Sequence, residues 1–192
     1  MEQIERIEWD TPATWDPAVI TEADYAKCNV GNPGKKRKRK IKDLLCAFDI
    51  ETSHTPLPGR EEAHLYHWQM QIGLHTKTIH GRTWDDLRRF IQELLPAIRA
   101  YDERSSMVVL VHNLAYEFQF LRTIYDFGPD EVFCLDSRKP AKATMHRMAL
   151  ELRCTYIHSN MSLDLWTRKM GVEHSKKDGA EFNYMKIRYA DT

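Results

Sequence analysis

The sequence has few cysteines, and their spacing excludes two common kinds of small scaffold. Cys28, Cys46, Cys134 and Cys154 are far apart, and no Cys-x-x-Cys pair occurs among the 192 residues. Zinc knuckles need closely spaced pairs of ligands, and small disulfide frameworks need several cysteines in a short chain. We therefore expect a protein of a reducing compartment.

The sequence also lacks long apolar runs. No stretch approaches the roughly 20 apolar residues of a membrane span. The N-terminus, MEQIERIEWD, lacks the basic start and apolar centre of a signal peptide. These absences predict a cytoplasmic protein with no membrane partner. The length and the hydrophobic fraction of 42% predict one well-cored domain.

The net charge is zero, but the charges are unevenly distributed. Residues 1–34 carry seven acidic and two basic side chains, whereas residues 35–42, KKRKRKIK, carry seven basic ones. Such a block is typical of a solvated segment, with a contact to phosphate or a nuclear address as alternatives. Because residues 1–40 show no sustained hydrophobic period, we predict a poorly ordered leader there and a domain over residues 41–192.

The order of hydrophobic patterns predicts an α/β domain with a mixed sheet flanked by helices. Apolar or alternating runs at residues 44–53, 64–75, 76–81 and 105–113 predict strands. A helical stripe follows Thr83, and further helices are expected after Asn113 and Ser162. Pro96 lies inside the first helical pattern and should kink that helix or end it early.

Two carboxylates lie at the end of the first buried strand, LLCAFDIETS. Successive side chains of a strand alternate faces, so Asp49 and Glu51 should share one face while Phe48 and Ile50 share the other. A divalent cation would neutralise two like charges in this position, because hard cations such as Mg²⁺ bind carboxylate oxygens. The alternative is a chance pair at a strand end, half in water.

A second polar group follows a later buried strand, in VHNLAYEFQFL. Asn113 ends the strand, and Glu117 falls in the first turn of the next helix, where the helix dipole favours a carboxylate. His112 borders the same strand end. The alternative interpretation is a simple helix cap, in which Asn113 bonds the first turn and Glu117 faces solvent.

Together, FDIET and HNLAYEF resemble the first two exonuclease motifs of family B DNA polymerases, especially the protein-primed polymerases of phages and linear plasmids. The family has Asp-x-Glu on a first strand and Asn-x-x-aromatic-Asp after a later one. The segments RCTYIHSNMSL and KKDGAEFNYMKIRY resemble its downstream blocks, which hold a single-stranded 3′ end. The resemblance covers residues 41–192.

The resemblance implies a ribonuclease H-like fold and a proofreading 3′–5′ exonuclease that uses two Mg²⁺ or Mn²⁺ ions on single-stranded DNA. Asp49, Glu51 and Glu117 would be the catalytic and metal-binding residues. The residues implied in DNA binding are Thr52, His112, Asn113, Tyr116, Thr155, Ser162, Leu163, Lys177 and Tyr184.

The sequence departs from the family pattern at two points. Glu117 stands where the family usually has Asp, and no Tyr-x-x-x-Asp third motif follows Tyr184. We therefore expect a portion of a longer polymerase, whose polymerising domains lie outside these 192 residues and whose further partner would be a terminal-protein primer. The expected setting is a phage-infected or plasmid-bearing bacterial cell.

Two alternatives remain open. One is a catalytically inactive domain that binds single-stranded nucleic acid, because a carboxylate of the site is missing. The other is a free-standing exonuclease of the same carboxylate type.

Overall fold

The computed structural model describes residues 9–10, 14–24, 40–41, 44–74, 76–100 and 102–172. Within these ranges the chain forms a mixed sheet with helices on its faces. The strands are β1 (Trp9–Asp10), β2 (Lys40–Ile41), β3 (Cys46–Leu57), β4 (Arg60–Ile72), β5 (Thr78–Gly81), β6 (Ser106–Val111), β7 (Val132–Asp136), β8 (Lys139–Met145) and β9 (Leu150–Cys154). The helices are α1 (Trp84–Arg99), α2 (Leu114–Leu121), α3 (Tyr156–Ser159) and α4 (Leu163–Met170).

The described strands follow the order β1-β5-β4-β3-β6-β9-β8-β7, with β2 also paired to β6. A long antiparallel hairpin joins β3 to β4, and β6 is parallel to both β3 and β9. Because parallel neighbours end at the same edge of a sheet, the C-terminal parts of β3, β6 and β9 lie together. The polar ends of the two motif strands are thereby neighbours.

Helix α1 covers one face of the hairpin side of the sheet. Its capping box between Thr83 and Asp86 is present as predicted, and Trp68 of β4 stacks on Phe90 with ring centroids 5.8 Å apart. The expected effect of Pro96 on helix length is wrong, since α1 runs on to Arg99. Its apolar stripe is fully buried on both sides of the proline, and this packing outweighs the lost backbone hydrogen bond.

Part of the segment expected to be a loose leader packs on the domain. Trp9 and Asp10 pair in parallel with β5, and Trp15 meets Phe90 edge-on at 5.6 Å. Ile20 is 6% exposed and belongs to the core. These residues therefore differ from the leader predicted for residues 1–40, because isolated apolar side chains can dock without any periodic pattern. The basic block before Lys40 lies outside the described residues.

None of the helices in the described ranges is both long and apolar enough to cross a lipid bilayer.

Candidate active site

Strand β3 presents two carboxylates on its open face. Phe48 and Ile50 are each 4% exposed, whereas Asp49 is exposed and Glu51 half-buried, so the side chains alternate as predicted. The register with β4 shifts between Glu51 and Thr52, and the two residues after the shift, Thr52 and Ser53, are both buried.

A left-handed turn brings the third carboxylate to the same place. Asn113 has φ 62° and ψ 52°, a conformation that asparagine tolerates better than most residues, and it turns the end of β6 directly into α2. Its side chain makes no capping hydrogen bond, so the simple-cap interpretation does not describe it. Glu117, one turn later, is 3% exposed rather than facing solvent.

The electrostatics of Glu117 reflect two nearby carboxylates. Burial, the charge of Asp49, a hydrogen bond with Asp49 and the charge of Glu51 together raise the pKa of Glu117 to about 8, against a backbone hydrogen bond that lowers it. Neighbouring anions have this effect only at short range. Strand β3 and helix α2 therefore place Asp49 and Glu51 within electrostatic range of Glu117.

The carboxylates of Asp49, Glu51 and Glu117 have the chemistry that binds a hard divalent cation, although their oxygens do not form a complete coordination shell. Glu117 Oε2 is buried and has no hydrogen-bond partner, and carboxylate oxygens are the ligands that Mg²⁺ and Mn²⁺ prefer. Within the part of the chain that the structure describes, no three His, Cys, Asp or Glu side chains lie at metal-ligand spacing. The described part of the site thus has neighbouring acidic side chains without a finished coordination shell.

An aromatic side chain stands beside the carboxylates. The hydroxyls of Tyr116 and Thr52 are hydrogen-bonded, which links α2 to β3 across the site. Tyr116 remains 39% exposed, and its ring lies 5.3 Å from that of Phe120. An exposed ring held at its hydroxyl end is a surface on which a nucleic-acid base can stack.

The other predicted DNA-binding residues divide into two groups. His112 and Thr155 are brought together, with His112 Nδ1 3.0 Å from Thr155 Oγ1, and the imidazole stacks on Trp166 at 5.9 Å. Ser162 caps α4 by accepting from the amide of Leu165, and Leu163 is 38% exposed. His112 and Thr155 lie beside the end of β6, whereas Ser162 already serves as the N-cap of α4.

Lys177 and Tyr184 lie outside the described residues, so their predicted contacts stay predictions.

The sequence did not identify Gln69 as part of the site. Gln69 lies opposite Asp49 in the hairpin, and its Nε2 donates to Asp49 Oδ2 at 3.2 Å. His67 lies opposite Glu51 in the same register. The alternation of β4 had placed both side chains on one face, but only the register of the hairpin shows that this face meets the carboxylates.

Comparison with protein-family models and with curated protein sequences finds no match. Among solved structures, the chain is similar to phi29 DNA polymerase complexed with single-stranded DNA. The TM-score is 0.53 at 10% identity, and the match covers 76% of this chain and 26% of the polymerase chain.

The fold is similar to that of part of this DNA polymerase. The mixed sheet with helices packed against it is the predicted α/β, ribonuclease H-like architecture, and this prediction is confirmed. At 10% identity, the structural similarity shows a shared fold and carries no information about activity. The chain spans about a quarter of the polymerase that it resembles, so the activity of that whole protein is not transferred by the match.

Proposed function

We propose that this chain is the proofreading 3′–5′ exonuclease portion of a DNA-directed DNA polymerase, acting on the 3′ end of single-stranded DNA. The observation that carries the proposal is the convergence of Asp49, Glu51 and Glu117 beside the exposed ring of Tyr116. Carboxylates that meet at strand ends are the ligands required for metal-assisted phosphodiester hydrolysis.

The structural neighbour supports the choice of substrate. That structure is of a DNA polymerase in complex with single-stranded DNA, and the match covers 76% of this chain. The resemblance of the two motifs to family B exonuclease segments points to the same substrate. Duplex DNA is the less suitable ligand, because base stacking on Tyr116 requires an unpaired base.

Each residue has a defined part in the proposed reaction. Asp49, Glu51 and Glu117 would hold two Mg²⁺ or Mn²⁺ ions, which supply an activated water and stabilise the departing 3′ oxygen. Tyr116 stacks on the terminal base or sugar, and the Thr52 hydroxyl fixes the direction of its ring. The side chain of Asn113, which is exposed and does not cap α2, donates to the sugar-phosphate backbone.

A binding domain without hydrolysis is the second candidate. It is favoured by one observation, that the described carboxylates are not at metal-ligand spacing. A domain of this kind would still stack single-stranded bases on Tyr116 and would show the same preference for unpaired DNA. Hydrolysis, rather than binding, is therefore the property that separates the two candidates.

The decisive experiment is digestion of a single strand labelled at its 5′ end, in Mg²⁺ and in a chelator. The exonuclease proposal predicts a ladder that shortens one nucleotide at a time from the 3′ end, and only with metal. A 3′-phosphorothioate strand is the matched control for direction. Tight binding without any ladder in Mg²⁺ or Mn²⁺ would favour the binding domain, and random internal cuts would contradict both.

Mn²⁺ is expected to raise the melting temperature of the protein by several degrees. Binding requires the assembled carboxylates, so metal stabilises the folded state by mass action. About 1 kcal/mol shifts the melting temperature of a domain of this size by roughly 2–4 °C. Thermal melts of the wild type, Asp49→Ala and Asp126→Ala check the result, because Asp126 is an exposed carboxylate away from the site. An equal rise in all three proteins would show that Mn²⁺ acts elsewhere.

A further inference from the structure

Asp49 and Glu51 lie at one edge of a polar surface that extends across the next two strands of the sheet, β4 and β5. Asp49 of β3 faces Gln69 of β4, and Gln69 faces His80 of β5, so the three residues form one cross-strand row. Glu51 faces His67 in the neighbouring row. Adjacent strands are about 4.8 Å apart, which places β5 roughly 10 Å from the carboxylates.

All of these side chains point away from α1. The residues between them on the same strands, Ile50, Trp68 and Ile79, are buried, with exposures of 4% or less, on the face that α1 covers. His67, Gln69 and His80 are half-buried on the opposite face. That face continues directly from the catalytic carboxylates, and we call it the polar floor, formed by His67, Gln69, His80 and Arg82.

The charge of this surface changes sign away from β3. Asp49 and Glu51 are acidic, whereas an exposed arginine, Arg82, directly follows the end of β5 at Gly81. His67 Nε2 and His80 Nδ1 are 3.4 Å apart and both lie within the electrostatic influence of Arg82. The arrangement thus places two hydrogen-bonded imidazole rings, an amide and a guanidinium in two neighbouring rows.

These groups match the chemistry of a phosphodiester backbone. Guanidinium groups bind phosphate through parallel hydrogen bonds, and imidazole and amide N–H groups donate to phosphate and sugar oxygens. Small metabolites are a poorer fit, because the surface is an open sheet face rather than a closed pocket. An extended strand whose terminal phosphodiester lies at the carboxylates would cross β4 and β5 with its adjoining residues.

We propose that the polar floor is a subsite for the single-stranded DNA backbone, which holds the nucleotides adjoining the scissile one, with Arg82 as its principal phosphate contact. The proposal rests on the proposed function, since the direction of the strand is taken from the carboxylates. It adds a substrate-positioning role for β4 and β5, which carry neither of the two sequence motifs.

The test compares two charge reversals, Arg82→Glu and Arg89→Glu. Arg89 is also an exposed arginine, but it lies on α1, behind the sheet. Binding of a fluorescent oligothymidylate is measured in a chelator over a range of salt concentrations, so that hydrolysis does not intervene. Arg82→Glu should weaken binding about fivefold at low salt and lower the salt slope by about 0.7, the value for one phosphate on a single strand.

A second measurement keeps the proposal separate from the proposed function. Arg82→Gln should raise KM more for a longer strand, which reaches β5, than for a dinucleotide, which does not. If wild type binds single strands and both arginine variants bind equally well, the subsite is wrong and the exonuclease stands. If wild type fails to bind single strands at all, the proposed function itself fails.

Discussion

Replacing Asp49 by asparagine is expected to reduce release of 3′-terminal nucleotides by at least about 10²-fold in Mg²⁺. Changing groups that only support a metal ligand typically costs 10–100-fold in metal affinity or activity, so loss of a ligand's charge should cost at least the upper end of that range. Asparagine has the same shape and keeps an oxygen for Gln69 Nε2, so the variant should fold normally.

Gln69 provides an internal comparison for this loss. Its amide donates to Asp49 Oδ2 and orients the carboxylate without reaching the proposed metal itself. Gln69→Ala is therefore expected to lower the rate by about tenfold, the mild end for such supporting contacts. More Mg²⁺ should recover part of that loss in Gln69→Ala and none of it in Asp49→Asn.

Single-turnover digestion of the labelled strand by both variants and by Asp126→Asn measures these rates. Asp126 carries the same change at an exposed position outside the site. Equal rates for Asp49→Asn and wild type would remove Asp49 from the reaction. A tenfold loss in Asp126→Asn would show that net charge, rather than the site, controls activity.

The alternation of β3 could be predicted from the sequence because it follows from local geometry alone. Phe48 and Ile50 had to point into the core, and Asp49 and Glu51 therefore had to point away from it. The helix boundaries at Thr83 and Ser162 were equally accessible, since each is set by one side chain and the amides of the next turn.

The partner of Asp49 could not be predicted, because it depends on strand register. Pairing of Asp49 with Gln69 is set by the turn at Gly59, which has φ 77°, and by the irregularity after Glu51. A shift of one residue would have turned the opposite face of β4 to the carboxylates. The Pro58-Gly59 pair does indicate a turn, but the irregularity after Glu51 has no clear sequence signal.

The burial of Glu117 could not be predicted from the sequence either. Its place in the first turn of α2 suggested an exposed carboxylate that the helix dipole would stabilise. In the structure Asn113 is left-handed and aims the start of α2 at β3, so the side chain is buried against two other acids. Only the resemblance to the exonuclease motifs indicated that these carboxylates meet.

Replacing Glu117 by glutamine is expected to stabilise the metal-free protein at pH 8 by a few kcal/mol. Burial and the nearby carboxylates raise the pKa of Glu117 to about 8, from an ordinary value of 4.5. Between these two pH values the folded protein keeps a proton that the unfolded chain has lost, so its stability falls as the pH rises. Each pKa unit corresponds to about 1.4 kcal/mol.

Glutamine does not titrate, so the stability of Glu117→Gln should lack this decline. The two proteins should differ little below about pH 4.5 and increasingly up to pH 8. Urea unfolding in a chelator at several pH values measures the difference. A wild type that is as stable as the variant at pH 8 would contradict the burial of an uncompensated charge.

Glu131 is the matched control, because it is a buried glutamate with the opposite electrostatics. Burial alone would raise its pKa, but hydrogen bonds from the Tyr125 hydroxyl and from the amides of Gly128 and His146 lower it. Its ionised form therefore stabilises the fold above the ordinary carboxyl pKa, and this contribution is lost as the pH falls. Glu131→Gln should destabilise the protein at pH 8, where Glu117→Gln stabilises it. Opposite signs at two buried glutamates would show that the carboxylate cluster holds its charge at a cost to the fold, as expected of a site built to bind cations.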